Sequence, residues 1–202
     1  LGGIIGLLIF LVIISKRALA ICILGVLCVP LLPFVLPDNI IRRFTSIGNL
    51  ADSSTAYRVN IWKGCIKMFA DHFKSGIGVG KDAFALVYPS YSLAGIESAP
   101  HSHNLYLQIG IELGIIGLVA FLCVILLMVI YNFTFYVNEK QMYKPARKYK
   151  LYSAAALCGV MAVLAQGMTD YVWYNYRIFL LFWLLLGLAS ASRKIARKEY
   201  SH

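Results

Sequence analysis

Two histidines, His101 and His103, stand in the stretch Pro100-His101-Ser102-His103-Asn104-Leu105-Tyr106-Leu107-Gln108, directly before a long apolar run that continues through Ile111-Glu112-Leu113-Gly114. Imidazole titrates near neutrality, so either ring can take up a proton as a general base at physiological pH. Ionisable groups at a bilayer surface cost free energy, and sequences tend to keep them for action on a substrate, an ion or a proton. A hydrogen-bonded interfacial histidine is the plainer alternative for each ring. Arg58, four residues before Trp62, adds a guanidinium that stays charged and can fork two hydrogen bonds onto phosphate oxygens. Such an arginine also serves as a simple headgroup anchor, and Arg42 and Arg43 admit the same reading. Glu112 is a further unusual charge inside the apolar run, where pairing with a basic group is favoured. A metal would need a third ligand beside the histidines. The nearest acids in sequence, Glu97 and Glu112, complete no recognisable ligand spacing, so neither a metal nor another cofactor is expected.

The elements that must position these groups belong to a membrane protein. Of 202 residues, 60% are hydrophobic, and they gather into long blocks. The chain begins at Leu1 inside an apolar run with no initiator Met, which reads as the C-terminal part of a longer protein whose first span is truncated. The five cysteines build no disulfide framework and no zinc spacing. The formal charge of +10 comes from Lys and Arg clustered at the ends of the apolar blocks, as topology signals are, so no nucleic-acid partner is expected.

The expected fold is an all-α integral membrane protein of about five transmembrane helices with one large extracytoplasmic loop containing amphipathic helices. Spans are expected at 1–14, short of the roughly 20 residues needed to cross hydrocarbon, at 18–36, at about 105–131, long enough to cross with tilt, and at 151–169 and about 173–190, both close to the minimum. The organisation is therefore two transmembrane helices over 1–36, a large extracytoplasmic loop over 37–104, and three transmembrane helices with a basic tail over 105–202. Lys16 and Arg17, the group from Lys140 to Lys150, and the group from Arg193 to Lys198 all fall on one side of such a bundle. The positive-inside rule makes that side cytoplasmic, in a multi-pass protein of the cell membrane, and turns the long loop and the turn Asp170 to Arg177 outward.

Inside the loop, Ser53-Ser54-Thr55 is expected to cap a helix of roughly 56–73, with Val59, Trp62, Ile66, Phe69 and Phe73 on one apolar face. Core packing and placement on membrane lipids are equally good uses of that face. Gly76, Gly78 and Gly80 then predict a tight, close-approaching turn in preference to a phosphate cradle. Residues 82–88 predict a short helix that stops before Pro89. In the outward turn, the aromatic run Tyr171 to Tyr176 is explained by an interfacial belt.

In this order, Arg43-Phe44-Thr45-Ser46-Ile47, the serine-rich stretch, Arg58 with Trp62, Phe69 to Phe73, the glycine turn and His103-Asn104-Leu105-Tyr106-Leu107-Gln108 with Glu112-Leu113-Gly114 resemble the bacterial O-antigen ligase and polysaccharide polymerase family. The resemblance covers roughly residues 40–120. It implies a metal-independent membrane glycosyltransferase that moves a glycan from a polyprenyl diphosphate-linked donor to a lipid, glycan or protein acceptor. It further implies Arg58 as a holder of the diphosphate and His103 as the base, with Arg43, Trp62, His101, Asn104 and Tyr106 as candidate substrate contacts. A second arginine of such ligases falls before Leu1, which implies that these residues alone are inactive. A non-catalytic membrane module binding glycans or lipid headgroups is the competing reading.

Overall fold

The computed structural model describes residues 53–138 and 147–200, with residues 2–4, 6–8, 20, 23, 24, 27, 28 and 37 beside them. All regular structure among the described residues is helical. Among the described residues from Ser53 onward, five α-helices follow one another: α1 (Ser53–Asp71), α2 (Lys81–Val87), α3 (Leu105–Asn138), α4 (Arg147–Gln166) and α5 (Tyr176–Tyr200). Single 3-10 turns follow α2 at Tyr88–Ser90 and precede α5 at Val172–Tyr174. Among the described residues, three segments are long and apolar enough to cross a membrane: Leu105–Phe135, Arg147–Gln166 and Tyr176–Lys198. They coincide with the last three expected spans. The two earlier blocks, and Arg42 and Arg43, lie almost wholly outside the described residues.

α4 packs along α5, and α3 leans on both. Between them Leu105, Ile109, Ile125, Val160, Leu164, Val172, Phe182 and Leu186 form one buried cluster. Trp173 belongs to this side too, its ring meeting Phe121, Phe179, Phe182 and Trp183 within 5.1–6.0 Å. Tyr174 and Tyr176 remain exposed. The loop has its own core of Ile61, Cys65, Met68, Phe84, Tyr88 and Ala99, closed against Ile111 of α3.

α1 buries a different face from the apolar one that its spacing marks, which leaves placement on lipid as the use open to that face. Ile61, Gly64, Cys65 and Met68 point inward, while Ile66 and Phe73 are exposed. Gly64 decides this: a Cβ there would stand 2.7 Å from the Tyr91 carbonyl oxygen, so the bare backbone lets the chain after α2 lie against the helix. Ser53 and Ser54 are themselves helical, whereas the serines were expected to cap the helix from outside it. α2 ends at Val87 and Pro89 sits in the 3-10 turn that follows, close to the predicted stop.

The glycine turn after α1 docks on a break in α3. Gly114 has φ 69° and ψ −173° inside α3, which frees backbone groups on both sides of it. Ile77 N–H donates to the Ile111 carbonyl at 2.9 Å, Gly78 N–H to the Glu112 carbonyl at 3.1 Å, and Ile115 N–H to the Phe73 carbonyl at 2.8 Å. A Cβ on Gly114 would meet the Lys74 carbonyl oxygen at 2.6 Å, and one on Gly76 would overlap the Glu112 carbonyl. The turn is thus the close approach that its glycines predict.

Candidate active site

The strap from Pro100 to Asn104 joins the loop core at Ala99 to the bundle core at Leu105. Asn104 fixes its end. The side-chain Oδ1 accepts from Leu107 N–H at 2.9 Å as the N-cap of α3, and Nδ2 donates to the Met168 carbonyl at 2.8 Å. Leu105 N–H reaches the Gly167 carbonyl at 2.7 Å, and Tyr106 hydroxyl donates to the Leu164 carbonyl at 2.9 Å. Four contacts therefore tie the start of α3 to the end of α4 or to its own first turn. Within the strap, Ser102 N–H donates to Gln108 Oε1 at 2.8 Å, and Gln108 Nε2 donates to Glu112 Oε1 at 2.8 Å. Glu112 is thus paired with an amide, where a basic partner was expected.

Held in this way, His103 adopts φ 51°, the only described residue other than glycine in the left-handed region. A left-handed backbone at a residue other than glycine costs about 1–3 kcal/mol and persists only where neighbours over-determine it. Here the neighbours are identifiable. His103 N–H donates to His101 Nδ1 at 3.1 Å, and the His103 ring turns Nδ1 toward Asp170 Oδ1, also at 3.1 Å. Asp170 Oδ1 in turn accepts from Tyr171 N–H at 2.9 Å. An ionised carboxylate only accepts, so the proton of a neutral His103 sits on Nδ1 and Nε2 carries the lone pair.

His101 is buried and clasped, its ring 4.2 Å from that of His103, 4.8 Å from Tyr174 and 5.6 Å from Tyr171. Burial, with the neighbouring His103 adding to it, pushes its imidazole down to about 4, so the ring is neutral near pH 7 and free to accept the His103 N–H. Burial, reinforced by Glu112, pushes the Tyr171 phenol up to about 12. Beside the strap lies a cavity of about 250 Å³ lined by Pro100, Gln108, Glu112, Tyr171, Trp173 and Tyr174, with Val79 and Gly80 of the glycine turn at its edge.

Of the other candidate residues, Tyr57 brings the first turns of α1 to the site, its ring 6.0 Å from His103. Arg58, the next residue, is half-buried and has no hydrogen bond or ion pair among the described residues. Trp62 lies one turn on, half-buried, with an indole N–H that finds no partner among them. Asn104 and Tyr106 have their polar atoms committed to the fold. Arg43 lies outside the described residues. Asp170 was missed as a partner of His103 because only the tertiary fold joins positions 67 apart; the available signal was a lone acid at the close of an apolar block.

No curated protein matches the chain. Residues 1–122 match the family described as O-antigen ligase, a stretch of more than half the chain that includes Arg58, the glycine turn and both strap histidines but not Asp170. The chain belongs to the O-antigen ligase family, membrane proteins of polysaccharide biosynthesis with glycosyltransferase-type activity toward lipid-linked glycans.

Proposed function

We propose that this chain transfers a glycan from a polyprenyl diphosphate to an acceptor hydroxyl at the outer face of the cell membrane, with His103 as the general base. The acceptor oxygen gives its proton to His103 Nε2 and attacks the anomeric carbon. The bond from that carbon to the phosphate oxygen breaks, and polyprenyl diphosphate leaves with the electron pair. Base catalysis of this kind contributes on the order of 10²–10⁴ in rate. Asp170 keeps the proton on Nδ1 and stabilises the imidazolium that forms.

The observation that carries the reading is the left-handed His103, held by His101 behind it and by Asp170 at its ring. Backbone strain of this sort clusters at functional sites. Arg58 is the proposed diphosphate clamp, with Arg43 as a second contact. The Arg58 guanidinium is uncommitted among the described residues, and Arg58 follows Tyr57, whose ring lies 6.0 Å from that of His103. A fixed guanidinium balances the charge growing on the leaving diphosphate, so the reaction needs no metal. Trp62 and the open face of α1, where Ile66 is exposed between Lys63 and Lys67, rest on lipid beside the carrier.

The same reading turns the strap end of the bundle outward. Arg147, Lys148 and Lys150 begin α4, and Arg193, Lys194, Arg197 and Lys198 end α5, so basic residues crowd the opposite, cytoplasmic end. The two spans expected over residues 1–36 lie almost wholly outside the described residues, and the loop over 37–104 is the proposed catalytic element. Asn104 and Tyr106 serve as positioning residues, and His101 supports the His103 backbone. The test is glycan attachment in cells carrying the full-length protein with His103→Ala or Arg58→Ala at matched expression. Loss of product in both supports the enzyme; normal product in both indicates a non-catalytic glycan-binding or lipid-binding module.

A further inference from the structure

The strap and the turn before α5 bring together more ligating groups than proton transfer requires. One donor atom each from His101, His103 and Asp170 lies within 4.8 Å of the others. The sequence supplies two imidazoles two residues apart, and the fold supplies the third ligand from a position far along the chain. Two imidazoles and a carboxylate suit a borderline dication of the zinc class, which is bound in open sites by three protein groups and a water.

The geometry is close to that of such a site. Bonds of about 2.0–2.2 Å in a tetrahedron separate two donors by roughly 3.4 Å. His103 Nδ1 and Asp170 Oδ1 already stand at 3.1 Å. The third donor needs a shift on the order of 1 Å, within reach of side-chain torsions. Supporting groups are present as well: Tyr171 N–H on Asp170 Oδ1, and Gln108 on the Ser102 backbone between the two histidines. The Asp170 side chain is 41% exposed, which leaves solvent access for the remaining coordination position.

We propose that His101, His103 and Asp170 form a three-ligand site for a zinc-class dication, and that its occupation withdraws His103 from catalysis. The binding claim stands on the cluster alone, whereas the inhibitory consequence rests on His103 being the base.

The test uses the full-length protein, purified in detergent through a tag without histidines and stripped of metal. Cobalt is titrated in while its ligand-field absorption is followed, and zinc is titrated in by calorimetry. The expected result is one equivalent per chain, with affinity at least tenfold weaker in both His101→Gln and Asp170→Asn. Asp170→Glu, which keeps a carboxylate, and His72→Gln, a histidine outside the cluster, are expected to retain binding. Thermal melting of each variant separates lost binding from lost folding. No binding by the wild type, or undiminished binding by His101→Gln and Asp170→Asn, overturns the site. Glycan transfer is then measured with and without zinc. Falling transfer as the site fills supports inhibition; transfer that persists or needs the metal overturns the base assignment and leaves the site standing.

Discussion

His103 Nδ1 and Asp170 Oδ1 stand 3.1 Å apart, so one contact joins the strap before α3 to the turn after α4. Because the carboxylate fixes which nitrogen carries the proton, Asp170→Asn presents an amide that can also donate and favours the wrong tautomer. Transfer by Asp170→Asn is expected to fall on the order of 10²-fold or more in kcat, with the KM for donor little changed. Steady-state kinetics on a defined lipid-linked donor check this. A change confined to KM would assign Asp170 to substrate binding instead.

Arg58 gives the opposite pattern, function without stability. It has no partner among the described residues, so its removal costs the fold little, within about 0.5 kcal/mol. A lost hydrogen bond to a charged group is worth about 1.5–3 kcal/mol, or roughly 10- to 100-fold in transfer. Arg58→Ala is therefore expected to melt with the wild type while transferring poorly. Arg58→Lys keeps the charge but loses the fork, and falls between them.

The break in α3 supplies a stability test. Gly114→Ala combines a positive φ with a Cβ 2.6 Å from the Lys74 carbonyl oxygen, whereas Gly78→Ala has a positive φ but open space around it. Gly78→Ala is expected to cost roughly 1 kcal/mol and Gly114→Ala several times more. Thermal melting in detergent gives the ranking, and equal losses would mean that the glycine turn does not dock on α3.

Cys65 reports on the loop core. It is fully buried, and burial pushes its thiol up to about 12. A raised acid favours its neutral form when folded. The associated stability is therefore complete below the unfolded thiol's ordinary value of about 8.5 and is lost as pH rises toward 12. Maleimide is expected to leave Cys65 unlabelled at pH 7–8 until the loop is unfolded. Rapid labelling in the folded protein would show that α1 does not pack as described.

Much of this was legible in the sequence because the signals are local. Apolar length marks α3 to α5, and alternating glycines mark the close approach at Gly76. What escaped reading depends on partners far along the chain. The buried face of α1 is set by Gly64 against Tyr91, a contact with a backbone that periodicity does not register. Asp170 reads as a turn residue until the fold brings it to His103. Glu112 reads as half of an ion pair, whereas the helix itself supplies Gln108 one turn away.

The base assignment is tested most directly by the turnover of purified full-length His103→Ala on a polyprenyl diphosphate-linked glycan, measured with and without added imidazole. The predicted result is a kcat lowered on the order of 10²–10⁴ that rises with imidazole concentration, because the small base fills the space of the missing ring. A kcat within a few-fold of the wild type would contradict it.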